Sequence, residues 1–233
     1  MGPLTVATLL RDEDGDRLAV ECDDPAFRAA LAELYFHVED GRYVRRFPSH
    51  SVTDAIYARF QANLRPLLRQ TARIERAPWD DALREAARRL ERAELDWWLT
   101  GSAALAVRGL PVSPRDLDLV VSDGDAPRVA TAFEDAVIEP PVAVEGWFCR
   151  WWGRAWLGAR VEWVGGVTEA ADEPEPTDFG LVAAAALEEV RWEGRVIRIP
   201  PLELQRAVSA RRGLSDRVQL IDLSSRACGR AER

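Results

Sequence analysis

The sequence predicts an α+β (α/β-like) protein. A sheet flanked by helices follows a small N-terminal α+β unit and precedes C-terminal helices. Two observations support this prediction. Short apolar runs typical of strands alternate with helix-like stretches along the chain. Residues 96–122 also have the pattern of a buried strand, a Gly-Ser turn, a short helix, a loop with two prolines and a second buried strand. At 233 residues and 47% hydrophobic content, the chain can form one large domain or a catalytic domain with a small partner.

Residues 1–76 are predicted to form the N-terminal unit, and residues 77–233 the second domain. In the first unit we expect strands at Leu4–Leu10, Arg17–Cys22 and Arg42–Phe47, a helix from Asp24-Pro25 to Phe36, and a helical stretch Val52–Arg76 interrupted at Pro66. Proline in the first turn of a helix is favoured, whereas proline inside a helix interrupts its hydrogen bonding.

Four arginines near the end of this unit have helical spacing, which places them on one helix face: Arg65, Arg69, Arg73 and Arg76. Such a face can bind the phosphates of an RNA or an acidic protein partner. The alternative is an ordinary solvated helix face, which charge stripes usually are. The net charge of −8 also opposes non-specific binding to nucleic acid.

The second domain is predicted to begin with a helix from Trp79 to Glu94 that has acidic residues in its first turn. The expected elements after it are strand Trp97–Thr100, a short helix capped by Ser102, strand Asp116–Val121, helix Ala126–Ala136, a hairpin of Trp147–Trp152 and Arg154–Val164 turning at Gly153, a mobile loop Glu169–Asp178, helix Ala183–Val190, strand Val196–Ile199, a helix from Pro200 to Arg211 and a last helix from Ser215.

Two carboxylates, Asp116 and Asp118, lie on one face of an otherwise apolar predicted strand, because strand side chains alternate between faces. Neighbouring acids in such a place are unfavourable unless a cation binds them. Magnesium is the natural cation, since it takes oxygen ligands and completes its shell with phosphate and water. Free amides at the Gly101-Ser102 helix start are where that phosphate is expected to bind.

Gly101-Ser102, thirteen residues and then Asp116-Leu117-Asp118-Leu119 resemble the signature of the polymerase-β-type nucleotidyltransferase superfamily. Within it the chain is most similar to minimal nucleotidyltransferases, including abortive-infection toxins and antibiotic-modifying enzymes. The resemblance implies the small mixed sheet of the nucleotidyltransferase fold. It also implies a nucleoside triphosphate (NTP) as substrate and two Mg²⁺ ions.

The resemblance further implies a third carboxylate on the strand beside the Asp pair. Glu162 is the only well-placed acid, and it is expected to be a metal ligand, a base or both; otherwise it is a surface glutamate. The predicted catalytic and metal-binding residues are therefore Asp116, Asp118 and Glu162. The residues predicted to bind the nucleotide are Gly101, Ser102 and Arg115.

The C-terminal helices resemble those that line the cleft in minimal nucleotidyltransferases. This makes Arg211, Arg212 and Asp216 secondary candidates, with ordinary pairing at helix ends as the alternative.

The expected reaction is transfer of a nucleoside monophosphate from an NTP to an acceptor hydroxyl. The acceptor is a tRNA end or a protein, as for a toxin; the alternative is a small antibiotic. A catalytically silent nucleotide-binding or antitoxin-type module is the alternative from another class, although the intact Asp-x-Asp pattern argues against silence.

Three scattered cysteines without metal spacing indicate reduced thiols, and no apolar run is long enough to span a membrane. We therefore expect a cytoplasmic protein without a membrane partner, whose oligomeric state the sequence does not indicate.

Overall fold

The computed structural model describes residues 5–143 and 146–231, with side chains as far as residue 226. The N-terminal unit contains, in chain order, β1 (Thr5–Asp12), β2 (Gly15–Cys22), α1 (Pro25–Glu33), β3 (His37–Glu39), β4 (Arg42–Phe47) and α2 (Asp54–Thr71). Its strands form an antiparallel sheet of order β1-β2-β4-β3. Strand β3 was not predicted, and α1 ends before the predicted Phe36, with Tyr35 at a positive φ of 64°.

Helix α2 runs without a break through Pro66, so the predicted interruption there is wrong. Proline inside a helix costs about 3 kcal/mol. Three buried leucines around it, Leu64, Leu67 and Leu68, pack in the core of the N-terminal unit, and their burial outweighs this cost. The helix begins at the Thr53 cap and ends at Thr71, before the predicted end at Arg76.

The second part of the chain contains α3 (Trp79–Arg92), β5 (Trp97–Thr100), α4 (Gly101–Val107), β6 (Asp116–Val121), α5 (Ala126–Ala132), β7 (Val137–Ala143), β8 (Cys149–Trp156) and β9 (Arg160–Val167). After a short 3₁₀ helix (Glu169–Asp172) come α6 (Leu181–Ala184), β10 (Glu188–Trp192), β11 (Arg195–Ile199), α7 (Leu202–Arg211) and α8 (Ser215–Ala231).

The central sheet has five strands in the order β5-β6-β9-β8-β7. Only the β6–β9 pair within it is parallel, so the sheet is mixed. Its core side is covered by α3 and α5, and a separate hairpin of β10 and β11 packs beside β5. The α+β fold class and the predicted mixed sheet are confirmed.

Two predicted elements of the second part are wrong. The hairpin turns at residues 157–159 rather than at Gly153, which lies inside β8 opposite Trp163. A Cβ at Gly153 would overlap the Trp163 ring, so this glycine allows a close approach rather than a turn. The predicted helix Ala183–Val190 ends at Ala184, because Glu188–Trp192 pairs with β11 across a turn with positive φ angles at its two central residues.

The apolar side chains form two large clusters. One lies between α3, α5 and the central sheet. The other belongs to the N-terminal unit and also takes in Ile138 of β7, because α2 packs against that strand. Arg59 of α2 donates to the Val137 carbonyl at 2.8 Å, and Gln70 donates to the Gly158 carbonyl at 2.9 Å. The boundary at residue 77 stays a prediction.

Cys22 and Cys149 are buried free thiols, and the side chain of Cys228 lies outside the described part. In the part of the chain that the structure describes, no helix is both long and apolar enough to cross a membrane.

Replacing Gly153 by Ala should lower the free energy of unfolding by about 1–3 kcal/mol, the usual cost of overfilling a packed core. The reason is the overlap of the new methyl group with Trp163. Gly124→Ala is the control, since nothing lies within 4 Å of a Cβ at that position. Urea denaturation of both variants measures the difference, and equal stabilities would contradict this account of β8.

Candidate active site

Three carboxylates converge on one face of the central sheet. Asp116 and Asp118 lie on β6, and Glu162 lies on β9 directly opposite Asp118. One oxygen from each residue lies within 4.8 Å of the others, and all three residues are half-buried. The sequence predicted this convergence, and the parallel pairing of β6 with β9 produces it. The roles of the three acids stay predictions.

The opposite face of both strands packs into the core, which fixes the direction of the acids. Leu117 and Leu119 of β6 and Val161 and Trp163 of β9 are essentially inaccessible to solvent. Because side chains alternate along a strand, these residues force their acidic neighbours to the cleft side.

The three acids are paired unequally. Arg160, two residues before Glu162, forms an ion pair with Asp116, and its Nε also lies 3.8 Å from Glu162 Oε1. Arg154 of β8 donates to Glu162 Oε1 from Nε at 2.8 Å and from Nη2. Asp118 makes no hydrogen bond or ion pair with the described side chains. It is therefore the carboxylate of the cluster that most needs a cation.

Burial raises the pKa of Asp118 to about 7, and the negative charges of Glu162 and Asp178 add to this shift. Arg212 and Arg217 act in the opposite direction. Burial also disfavours the ionised form of Glu162. Arg160 and Arg154 outweigh that effect and lower the pKa of Glu162 to about 2. Glu162 is therefore charged at neutral pH.

The Gly101-Ser102 pair lies at the start of α4, beside Asp118. Gly101 has a φ of +65°, and a Cβ there would overlap Asp118 Oδ2. Asp118 and the positive φ together require glycine at this position. Ser102 is not the helix cap as predicted, because the helix begins at Gly101 and Thr100 occupies the cap position. Ser102 lines the cleft in the first turn.

These residues lie in a cleft of about 1480 Å³ between the central sheet, the N-terminal unit and the C-terminal helices. The cleft is also lined by several aromatic side chains: Tyr35, Trp147, Phe148, Trp152 and Phe179. Its volume and mixed lining suit a nucleotide together with a second molecule.

The third predicted nucleotide ligand, Arg115, lines this cleft but is engaged elsewhere. Its Nη1 lies 2.8 Å from Glu33 Oε2 and 3.1 Å from the Thr71 carbonyl oxygen. Arg115 therefore connects the loop before β6 with the N-terminal unit.

The predicted arginine face is not present. Arg65 and Arg69 lie on α2, but the helix ends at Thr71, and Arg73 has a positive φ of 60°. Arg69 pairs with Glu75 at 2.9 Å. Arg73 and Arg76 line the cleft after the helix has ended, so the four side chains do not share one helix face.

The C-terminal candidates Arg211, Arg212 and Asp216 all line the cleft. Arg211 pairs with Glu175 at 2.8 Å, whereas the charge of Arg212 acts on Asp118 and Asp178. The structure therefore places these three residues at the cleft, as the sequence indicated, and their roles stay predictions.

Sequence reasoning missed four charged residues around the site: Arg154, Arg160, Asp178 and Arg217. Arg160 could have been found, because it lies two residues before Glu162 and therefore on the same strand face. Asp178 was placed in a mobile loop. It is buried, and Thr100 Oγ1 donates to its carbonyl oxygen at 2.6 Å. Asp172 of the same loop accepts from the Thr177 and Val182 amides, so this loop is held by hydrogen bonds.

Comparison with known proteins gives one family match. The model of the family described as aminoglycoside-2''-adenylyltransferase matches residues 82–146, which include the Gly-Ser pair and both aspartates. A search of curated proteins finds no match.

Solved structures similar to this chain include a protein from Thermotoga maritima described as a nucleotidyltransferase, with 22% identity and a TM-score of 0.46 over 65% of this chain and 92% of that one. The lincosamide antibiotic adenylyltransferase LnuA with bound lincomycin has 14% identity and a TM-score of 0.45, over 60% and 94% of the two chains. ANT(2'')-Ia in complex with adenylyl-2''-tobramycin has 12% identity and a TM-score of 0.43, over 61% and 87%.

The family match supports assignment of the chain to the polymerase-β-type nucleotidyltransferase superfamily. The predicted resemblance is confirmed at that level.

Replacing Asp118 by Asn should raise the free energy of unfolding in metal-free buffer at pH 8 by roughly 2–4 kcal/mol. The pKa of this carboxyl group rises from its ordinary value of 3.8 to about 7 on folding. Ionisation therefore costs stability progressively between about pH 4 and pH 7, and the full cost is present above that range. Asparagine removes it.

Asp116→Asn is the matched control for this experiment. It loses the ion pair with Arg160, so it should leave stability unchanged or lower it. Urea denaturation of both variants at pH 5 and pH 8 makes the comparison. The electrostatic description of the site is wrong if the two variants shift stability in the same direction.

Proposed function

We propose that the protein is a metal-dependent nucleotidyltransferase that moves a nucleoside monophosphate from an NTP to an acceptor hydroxyl. The observation that supports this most strongly is the convergence of Asp116, Asp118 and Glu162 in a large cleft beside the Gly101-Ser102 turn. The family match over the same segment agrees with it.

The acid cluster fits a hard divalent cation. It offers carboxylate oxygens, which Mg²⁺ prefers, and no described side chain forms an ion pair with the Asp118 carboxylate. Asp116, Asp118 and Glu162 are the residues that would hold Mg²⁺. When bound, Mg²⁺ supplies charge neutralisation for the triphosphate and for the pyrophosphate that leaves.

Side chains of the protein would bind and orient the phosphates. Arg212 and Arg217 place positive charge on the cleft side of Asp118, where they attract the phosphates. Ser102 is placed to donate a hydrogen bond to a phosphate oxygen. Glu162 suits the ligand role better than the base role, because two donors of Arg154 hold its Oε1 and keep the group ionised.

For the acceptor, we propose a small hydroxylated molecule as the first candidate. The arginine face that favoured an RNA or acidic protein partner is not formed. The cleft lining combines aromatic rings with charges of both signs, Glu33 and Glu75 as well as Arg73 and Arg76, so it is not a purely basic surface. The matched family is described by an aminoglycoside, which makes an aminoglycoside the first compound to test.

A labelled-transfer assay tests this function. The protein is incubated with Mg²⁺ and each labelled NTP, with aminoglycosides, lincosamides, total RNA or cell protein in separate reactions. Label on a small molecule is the expected result, and label on RNA or protein would support the toxin-like alternative instead. NTP binding without any transfer would support the silent module.

Glu162→Gln should reduce turnover at least about a hundredfold, the upper range for loss of an outer-shell partner of a metal site, while changing NTP affinity much less. The reason is that Glu162 lies with the Asp pair in the acid cluster, whereas Ser102, Arg212 and Arg217 are proposed to contact the phosphates. Steady-state kinetics and calorimetry separate the two effects. Glu39→Gln, which lies outside the cleft lining and pairs with Arg46 at the surface, is the control that should keep turnover within a few-fold. Unchanged turnover in Glu162→Gln would rule out its part in the reaction.

A further inference from the structure

A buried network of four charged side chains, called the charge network below, connects the acid cluster to the N-terminal unit. It starts at Glu162, continues through Arg154 and Glu139, and ends at Arg45 of β4. Glu139 and Arg154 are completely buried, and the side chain of Arg45 is 12% exposed. The two positive and two negative charges balance, so the charge network is neutral as a whole.

The strand register builds the central part of the charge network. Glu139 of β7 pairs with Arg154 of β8, and Arg154 pairs with Glu162 of β9. Glu162 in turn lies opposite Asp118 of β6. These four residues therefore form one row across neighbouring strands, and each contact between them is set by the sheet rather than by flexible loops.

Arg45 is the one residue of the four in the charge network that the N-terminal unit supplies. Its Nε lies 2.6 Å from Glu139 Oε2, and its Nη1 donates to the Leu34 carbonyl at 3.3 Å. Its guanidinium carbon lies 4.0 Å from the centre of the Trp152 ring, and that of Arg154 lies 4.8 Å from the same indole. Both guanidinium groups are thus fixed by ion pairs and by contact with the same indole ring.

Each ion pair in the charge network restricts the position of the next side chain. Glu139 uses one oxygen for Arg45 and the other for Arg154. Arg154, held in this way, contacts only Oε1 of Glu162. Among the described residues Oε2 of Glu162 has no partner, so it is the oxygen left for a ligand. Without Arg45, Glu139 would be an unbalanced buried charge that draws Arg154 away from Glu162.

We propose that Arg45 is a positioning residue for the acid cluster: through Glu139 and Arg154, the N-terminal unit fixes the orientation of Glu162. This inference rests on the proposed function, because it gives Glu162 a part in binding the divalent cation. It assigns the N-terminal unit a role in building the site, in addition to forming a wall of the cleft.

The test measures Mn²⁺ binding to the full-length protein by titration calorimetry, with the metal alone and no nucleotide. Arg45→Met removes the charge and keeps a long apolar side chain against Trp152. Arg46→Met is the matched control, because Arg46 is the next residue of β4, is 54% exposed and pairs with Glu39 at the surface. Arg45→Lys keeps the charge and tests rescue. If Arg45→Met does not fold, Arg45→Gln takes its place.

Arg45→Met should weaken Mn²⁺ binding about tenfold, the lower range for loss of an outer-shell partner of a metal site. Arg46→Met should bind as the wild type does, and Arg45→Lys should recover most of the affinity. In a Glu162→Gln background, Arg45→Met should cause no further loss, because its effect passes through Glu162.

Two results would overturn the proposal. One is Mn²⁺ affinity in Arg45→Met equal to that of Arg46→Met. The other is the same loss with and without Glu162, which indicates general destabilisation. If Glu162→Gln alone leaves Mn²⁺ affinity unchanged, the metal site itself is wrong and the proposed function fails with it. If Glu162→Gln weakens binding and Arg45→Met does not, only the positioning role fails.

Discussion

The parallel pairing of β6 with β9, in the register that places Asp118 opposite Glu162, is the constraint on which the site depends. It sets two carboxylates side by side on neighbouring strands, with Asp116 two residues away on the same face. Like charges so close together and partly buried are unfavourable. The apolar residues on the opposite face keep the acids in place, because a shift of one residue would move the whole apolar set out of the core.

The surrounding positive charges compensate the three carboxylates unequally. Arginines pair with Asp116 and Glu162, whereas Asp118 has no such partner in the described part of the chain and carries the raised pKa. An arrangement that neutralised all three acids would be more stable without metal, but it would leave no carboxylate for a cation. The single uncompensated acid is therefore the feature that favours cation binding most directly, and its cost to stability is consistent with a functional site.

Local patterns predicted much of this and failed where long-range contacts decide. Strand alternation around Asp116 and Glu162 predicted the face of each acid, whereas the expectation that Glu162 lies beside the Asp pair came from the resemblance to the superfamily. The same reasoning misread Gly153, since a glycine needed for contact with Trp163 looks like a turn glycine in sequence. It also missed Asp178, which reaches the site only because Thr100 and neighbouring contacts hold a proline-rich loop against the sheet. Propensity does not register contacts of that kind.

The charge balance of the sheet explains why a residue as distant in sequence as Arg45 belongs to the site. Along the row from β6 to β7, Asp118, Glu162 and Glu139 face a single arginine, Arg154. Glu162 also has Arg160 at 3.8 Å, whereas Glu139 pairs with Arg154 alone within the sheet. Without Arg45, the buried Glu139 would therefore be under-compensated and would compete with Glu162 for Arg154. Arg45 neutralises Glu139 from outside the sheet. Glu139 then acts as an anchor for Arg154 rather than as a competitor of Glu162. The N-terminal unit is thus part of the electrostatics of the central sheet.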